Sequence, residues 1–138
     1  MEKRKQLLGD ENPHTLKGMS NLGATYGKQG RWQDAMALQL VTMENMKRVL
    51  GDVDDHPWTL ENMANLADTY RGQGYLDEAV VLQETVLEKR KQALREGHPD
   101  IVKSMWSLVA TYRDLGRIND AEALEATVEE NKKRDGGS

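Results

Sequence analysis

Side chains able to do chemistry are sparse in this sequence, and their spacing narrows what they could do. His14, His56 and His98 stand 42 residues apart, yet none has a second ligand three or four residues after it, the spacing that carries a metal site along a helix face. His56 and His98 each precede a proline whereas His14 follows one, so the even spacing is partly coincidence, and His56 and His98 read as helix-start residues. The glycine-bearing stretches GKQGR and RGQG lack the spacing of a phosphate loop, no nucleophile elbow is present, and the carboxylates have no converging partner that the sequence identifies. There is no cysteine, which excludes disulfides and thiolate metal ligands. Enzyme, metal and cofactor chemistry are not expected, leaving hydrogen bonding and charge as the means by which the chain acts.

The elements that must position those groups are set by a repeat. Met63 to Ala79 reads MANLADTYRGQGYLDEA, with MSNLGATYGKQGRWQDA upstream from Met19 to Ala35 and MWSLVATYRDLGRINDA downstream from Met105 to Ala121. Each copy gives Met-x2-Leu-small-x2-Tyr, then a Gly four residues after the Tyr and an Ala five residues after that Gly. A unit repeated at this length is one supersecondary element that buries its apolar face against its neighbours.

Within each copy the apolar residues fall at helical spacing: Leu16, Met19, Leu22, Gly23 and Tyr26, then Leu60, Met63, Leu66, Ala67 and Tyr70, then Val102, Met105, Leu108, Val109 and Tyr112. Pro13, Pro57 and Pro99 suit the first turn of such a helix, Asn12 is an N-cap for the first, and Gly30, Gly74 and Gly116 should end it in the left-handed conformation. A second helix follows after a turn so short that the two must form an antiparallel hairpin. Its stripe includes Ala35, Leu38 and Met43, then Ala79, Leu82, Val86 and Leu87, then Ala121, Leu124 and Val128. Trp32 reads as packing between the two helices of its own hairpin, and Trp58 as a lid over the start of the second. The basic clusters Lys47-Arg48, Lys89-Arg90-Lys91 and Lys132-Lys133-Arg134 read as helix tails, where the macrodipole favours each cation by about 0.3–1 kcal/mol.

The expected organisation is all-α, an α-α superhelix: a right-handed solenoid of three helix hairpins over residues 12–51, 56–95 and 98–134. Residues 1–9, whose Lys3-Arg4-Lys5 matches the other basic clusters, read as the tail of a preceding second helix, and 136–138 as a flexible tail. The texture suggests a piece of a longer array. The formal charge of −4, from 19 basic and 23 acidic residues, lacks the basic excess of a nucleic-acid binder. No apolar run approaches the roughly 18–20 residues of a membrane span. The reading is a soluble, cytoplasmic protein without nucleic-acid or membrane partners.

The repeated residues resemble the tetratricopeptide repeat, whose pattern is Trp-x2-Leu-Gly-x2-Tyr followed by Ala-x3-Phe. The 42-residue form that opens on HP-x-T-L is similar to the repeats of kinesin light chains and to the arrays of fungal and bacterial nucleotide-binding signalling proteins. Here Met replaces the signature Trp, while Gln39, Gln83 and Glu125 stand where Phe is expected, so the apolar load should shift to Leu38, Leu82 and Leu124.

The resemblance implies a concave groove lined by the first helices, with Lys17, Asn21, Lys28, Asn65, Arg71, Lys103, Trp106 and Arg113 as its peptide-binding residues. Five of the transferred groove positions are basic and three acidic, which implies a protein or peptide partner of acidic character. Asn21 and Asn65 can offer donor and acceptor to a peptide backbone, or be plainly solvated. Trp106 is either an aromatic anchor or cover for its own hairpin or for a neighbour. Arg71 and Arg113 could fork onto carboxylate or phosphate, or bridge to Asp68 or Asp114. The function implied is protein interaction, with a rival of self-association through Leu124 and Val128 of an uncapped last helix.

Overall fold

Proline opens each first helix, where its missing N–H removes a donor that would have had no partner. In the computed structural model, which describes residues 13–50 and 56–137 and side chains as far as residue 130, these helices are α1 (Pro13–Lys28), α3 (Pro57–Gln73) and α5 (Pro99–Asp114). The second helices are α2 (Trp32–Leu50), α4 (Leu76–Ala93) and α6 (Ile118–Gly137). His56 and His98 cap α3 and α5 as their positions suggest: Nδ1 of His56 accepts from the Trp58 N–H at 3.1 Å, and Nδ1 of His98 from the Asp100 N–H at 3.0 Å. Asn12 and the residue 1–9 segment lie outside the described residues. Helix α6 continues to Gly137, through positions that composition alone reads as tail.

The hairpin turn is built the same way three times. Gly30, Gly74 and Gly116 take φ of 78°, 89° and 79°. The amide that follows each bonds back to the repeat tyrosine's carbonyl, Arg31 to Tyr26 at 2.9 Å, Tyr75 to Tyr70 at 2.8 Å and Arg117 to Tyr112 at 2.8 Å. This closure satisfies carbonyls that the helix end leaves open, and it explains why Tyr and Gly recur four residues apart. A methyl added at Gly74 would meet nothing within 4 Å, so Gly74→Ala is expected to cost about 1–2 kcal/mol through its left-handed backbone alone. Gly18, equally open but inside α1, should gain about 0.5–1 kcal/mol on becoming Ala. Urea titration of both variants checks the opposite signs.

Each helix packs on the next, α1 also on α3 and α3 more lightly on α5, which stacks the hairpins into an α-α solenoid. Ala35, Ala79 and Ala121 are fully buried where paired helices meet, and Leu66, Leu108, Met63 and Met105 fill the layers. Leu22 departs from the expected core, at 44% exposed. Its counterpart Leu108 packs with Val80 and Leu87 of the preceding hairpin and with Val128 of its own, whereas no described helix precedes α1.

Three further expectations are corrected. Gln39, not Leu38, is the fully buried residue of its pair, and Gln83 likewise outranks Leu82. The reason is pairing across hairpins: Thr69 Oγ1 donates to Gln39 Oε1 at 2.7 Å, Asn62 Nδ2 to the Gln39 carbonyl at 3.0 Å, and Gln83 Nε2 to the Ser107 carbonyl at 3.4 Å. Trp32 is not confined to its own hairpin, since its ring lies over Gly72 of α3 as well as Gly27 of α1. Val128 is fully buried and Leu124 half-buried, both packed in the cluster formed with α5, so Val128 offers no outward surface for self-association.

Candidate functional site

The small residues of α1 set where the array opens. Gly27, Arg71 and Arg113 occupy the same repeat position. A Cβ at Gly27 would lie 3.7 Å from Thr69 Oγ1, so α1 can sit close against α3. Arg71, bulkier, spans from α3 to Asp114 at 2.6 Å instead. The looser α3–α5 pairing leaves a groove of about 510 Å³ walled by α1, α3 and α5, with Gln83, Val86 and Arg90 of α4 contributing to its lining. A second depression of about 520 Å³ adjoins it, lined by Trp32, Gln39, Arg71 and Asp114 among others.

The structure divides the residues expected at this site. Asn21, Lys28, Asn65 and Lys103 line the first groove, and none makes a side-chain hydrogen bond or ion pair with another described residue. The other cations are engaged: Lys17 with Glu61 at 3.2 Å and over the Trp58 ring at 5.3 Å, Arg71 with Asp114, and Arg113 with Glu125. Arg71 thus takes the bridging role that the sequence leaves open to it, and the Trp58 ring lies tilted against His14 of the first hairpin and edge-on to His56. These bridges are partly exposed, so each is worth roughly 0.2–1 kcal/mol and weakens with salt.

Trp106, 37% exposed, lines neither depression. Its counterpart Ser20 in α1 is 3% exposed. Ala64, the counterpart in α3, is half-buried and lines the groove.

Sequence reasoning misses Arg90. It reads as part of a solvated helix tail, yet it is 8% exposed and lines the groove, with Nη1 donating to Ser104 Oγ at 2.7 Å and to the Asp100 carbonyl at 3.3 Å. The signal lies in the repeat alignment, since Arg90 falls where the first copy has Met46, a fully buried core residue. Burial draws the guanidinium's pKa down, opposed through space by Asp100 and Glu61.

Asp68 also lines the groove. The residue keeps an exposed surface, but protein atoms crowd its carboxyl and raise its pKa, against the pull of Arg71 and Lys103. A carboxyl whose folded pKa is raised favours folding when protonated, and loses that contribution as pH rises through the folded value. Asp68→Asn should therefore raise the melting temperature at pH 7, with the gain shrinking as pH falls through the raised folded pKa and lost below the ordinary carboxylate value. Thermal melts between about pH 3 and 7, values bracketing the carboxylate range, check this.

The sequence profile described as "Tetratricopeptide repeat" matches residues 15–57 and 59–100, more than half of the chain. The chain belongs to the tetratricopeptide repeat family. Among solved structures, a putative kinesin light chain from Podospora anserina with nearly identical TPR-like repeats is 28% identical, with a TM-score of 0.76 over 85% of this chain and 55% of that one. A substituted form of the same protein is 27% identical, with a TM-score of 0.78 over 94% and 60%. BtubC (BKLC) from P. vanneervenii shares the fold, with a TM-score of 0.81 at 21% identity over 94% and 51%. The chain spans between about half and three fifths of the length of these structures. No curated protein sequence matches it. In the first two copies of this tetratricopeptide array the signature Phe position has become an amide that bonds the following hairpin, as Gln39 and Gln83 show.

Proposed function

We propose that this chain is a protein-interaction module, a scaffold that takes an extended segment of a partner protein along the groove between α1, α3 and α5. The observation that carries the reading is convergence: Asn21, Lys28, Asn65 and Lys103 come from three helices, line one cavity and leave their polar ends uncommitted to described residues. Asn side chains there can accept and donate to a peptide backbone. The cations left over after internal pairing favour acidic segments, and long, partly polar grooves of this kind suit extended ligands.

Selecting a displayed library of random peptides, each about 12 residues long, against the chain provides ligands for the test. Their affinity should fall by roughly tenfold or more in Asn65→Ala and in Lys103→Glu, as expected for lost polar anchors in a groove. Selected peptides that bind both variants unchanged would contradict the groove assignment. Light scattering should give a mass near 15.6 kDa across a wide range of concentration. A mass climbing with concentration would favour assembly through the face bearing Trp106 instead.

A further inference from the structure

Arg90 is a buried cation with no carboxylate within 4 Å among the described residues. Both of its hydrogen-bond acceptors, Ser104 Oγ and the Asp100 carbonyl, are neutral, and both bind the same nitrogen, Nη1. The Nε–Nη2 edge has no described acceptor, and a guanidinium edge of that kind matches two oxygens of a carboxylate or phosphate. Burying a charge without a counter-charge is costly. The core does not demand one, because Met46 fills the corresponding place in the first hairpin. The acids that act on Arg90, Asp100 and Glu61, do so through space only, and Glu61 is bridged to Lys17.

A second, independent observation lies on the same face of α4. Gln83, 4% exposed, spends its Nε2 on the Ser107 carbonyl and leaves Oε1 buried with no donor. A buried acceptor without a donor costs free energy until something supplies an N–H. Gln83 and Arg90 are seven residues apart, two turns along one helix face, and Lys103 and Ser107 line the groove with them.

The geometry points to a receptor, at the Arg90 end of the groove, for one carboxylate or phosphoryl group borne by an extended peptide, with Gln83 accepting a backbone N–H of that peptide. Inorganic anions would satisfy only half of the site, since they bring no N–H to Gln83. Lys103 supplies a second charge, while Asp68 and Glu61, which also line the groove, oppose the ligand. This inference rests on the peptide-binding reading and specifies the chemistry that the groove selects.

The test titrates three blocked tripeptides into the full chain, acetyl-Ala-Glu-Ala-amide, its Gln analogue and its phosphoserine analogue, followed by NMR. The Glu or the phosphoserine peptide should move the Arg90 Nε–H signal and bind roughly tenfold more tightly than the Gln peptide, the difference expected of a charge-assisted forked bond. Whichever of the two is tighter identifies the source as a constitutively acidic or a phosphorylated partner. Arg90→Met, for which Met46 in the first hairpin is the precedent, should abolish the preference for the charged peptides, and Arg90→Lys should restore it only in part. Equal shifts of the Asn65 and Lys103 amides by all three peptides, with the Arg90 signal unmoved, would overturn the receptor and leave the groove standing. Tripeptides that move no groove residue even at millimolar concentrations would overturn both.

Discussion

Leu66→Ala is expected to cost about 2–5 kcal/mol, the range for truncating a leucine in a packed core. Leu66 is 3% exposed at the centre of the middle hairpin, with neighbours on both sides in the stack, so the cavity it leaves cannot be closed by one helix shifting into solvent. The comparison that gives this force is Leu22→Ala. It deletes the same atoms at the same repeat position, but from a side chain already open to water, and should cost well under half as much. Arg71→Ala, which removes an exposed bridge to Asp114, should stay within about 1 kcal/mol. Chemical denaturation of the three variants reads out the order directly. Equal losses at Leu66 and Leu22 would mean that the layers are not stacked as described.

The second large effect is expected at Gly72. A Cβ there would fall 2.5 Å from the ring of Trp32, a distance that forces the indole to move. The indole also lies against Gly27 of α1, whose own Cβ position is 3.5 Å from the same ring. Overpacking of this kind costs about 1–3 kcal/mol. Because the clash needs both partners, Trp32→Leu should remove most of the penalty of Gly72→Ala, and a double-mutant cycle should show coupling of roughly 1 kcal/mol or more. Additive losses would place Trp32 back inside its own hairpin.

Both effects arise where one hairpin packs on the next, and the difference between them marks what a sequence can and cannot convey. The prolines at helix starts, the glycines past helix ends and the tyrosine four residues earlier are legible because each answers a demand of the local backbone. Leu66 and Met105 are legible because helical spacing assigns them a face. Gln39 is not. An amide at an aromatic position looks like a concession to solvent until Thr69, thirty residues away, is known to meet it. Trp32 reads into the wrong interface for the same reason, since its partner is a glycine, the one residue with no side chain to advertise a contact.

The site is legible in part. Asn21, Lys28, Asn65 and Lys103 line the groove as the family resemblance implies, whereas Lys17, Arg71 and Arg113 turn out to be tied to acids on neighbouring helices. Counting charges along a sequence cannot tell a free cation from a paired one when the pair spans two helices. Trp106 differs from its counterparts, lining neither depression, whereas Ala64 lines the groove and Ser20 is buried. Arg90 escapes notice because it stands among other basic residues at a helix tail, where the macrodipole gives a sufficient account of all of them. Only its alignment with Met46 separates it from Lys89 and Lys91.

The most direct test of the central claim places a nitroxide label on a selected groove-binding peptide and records which backbone amides of the chain are broadened when it binds. The groove account predicts broadening at Asn21, Asn65, Asp68 and Lys103, on three helices at once. Broadening centred instead on Leu40, Val41 and Val81, the exposed apolar residues of α2 and α4, would contradict it and move the interaction surface to the second helices.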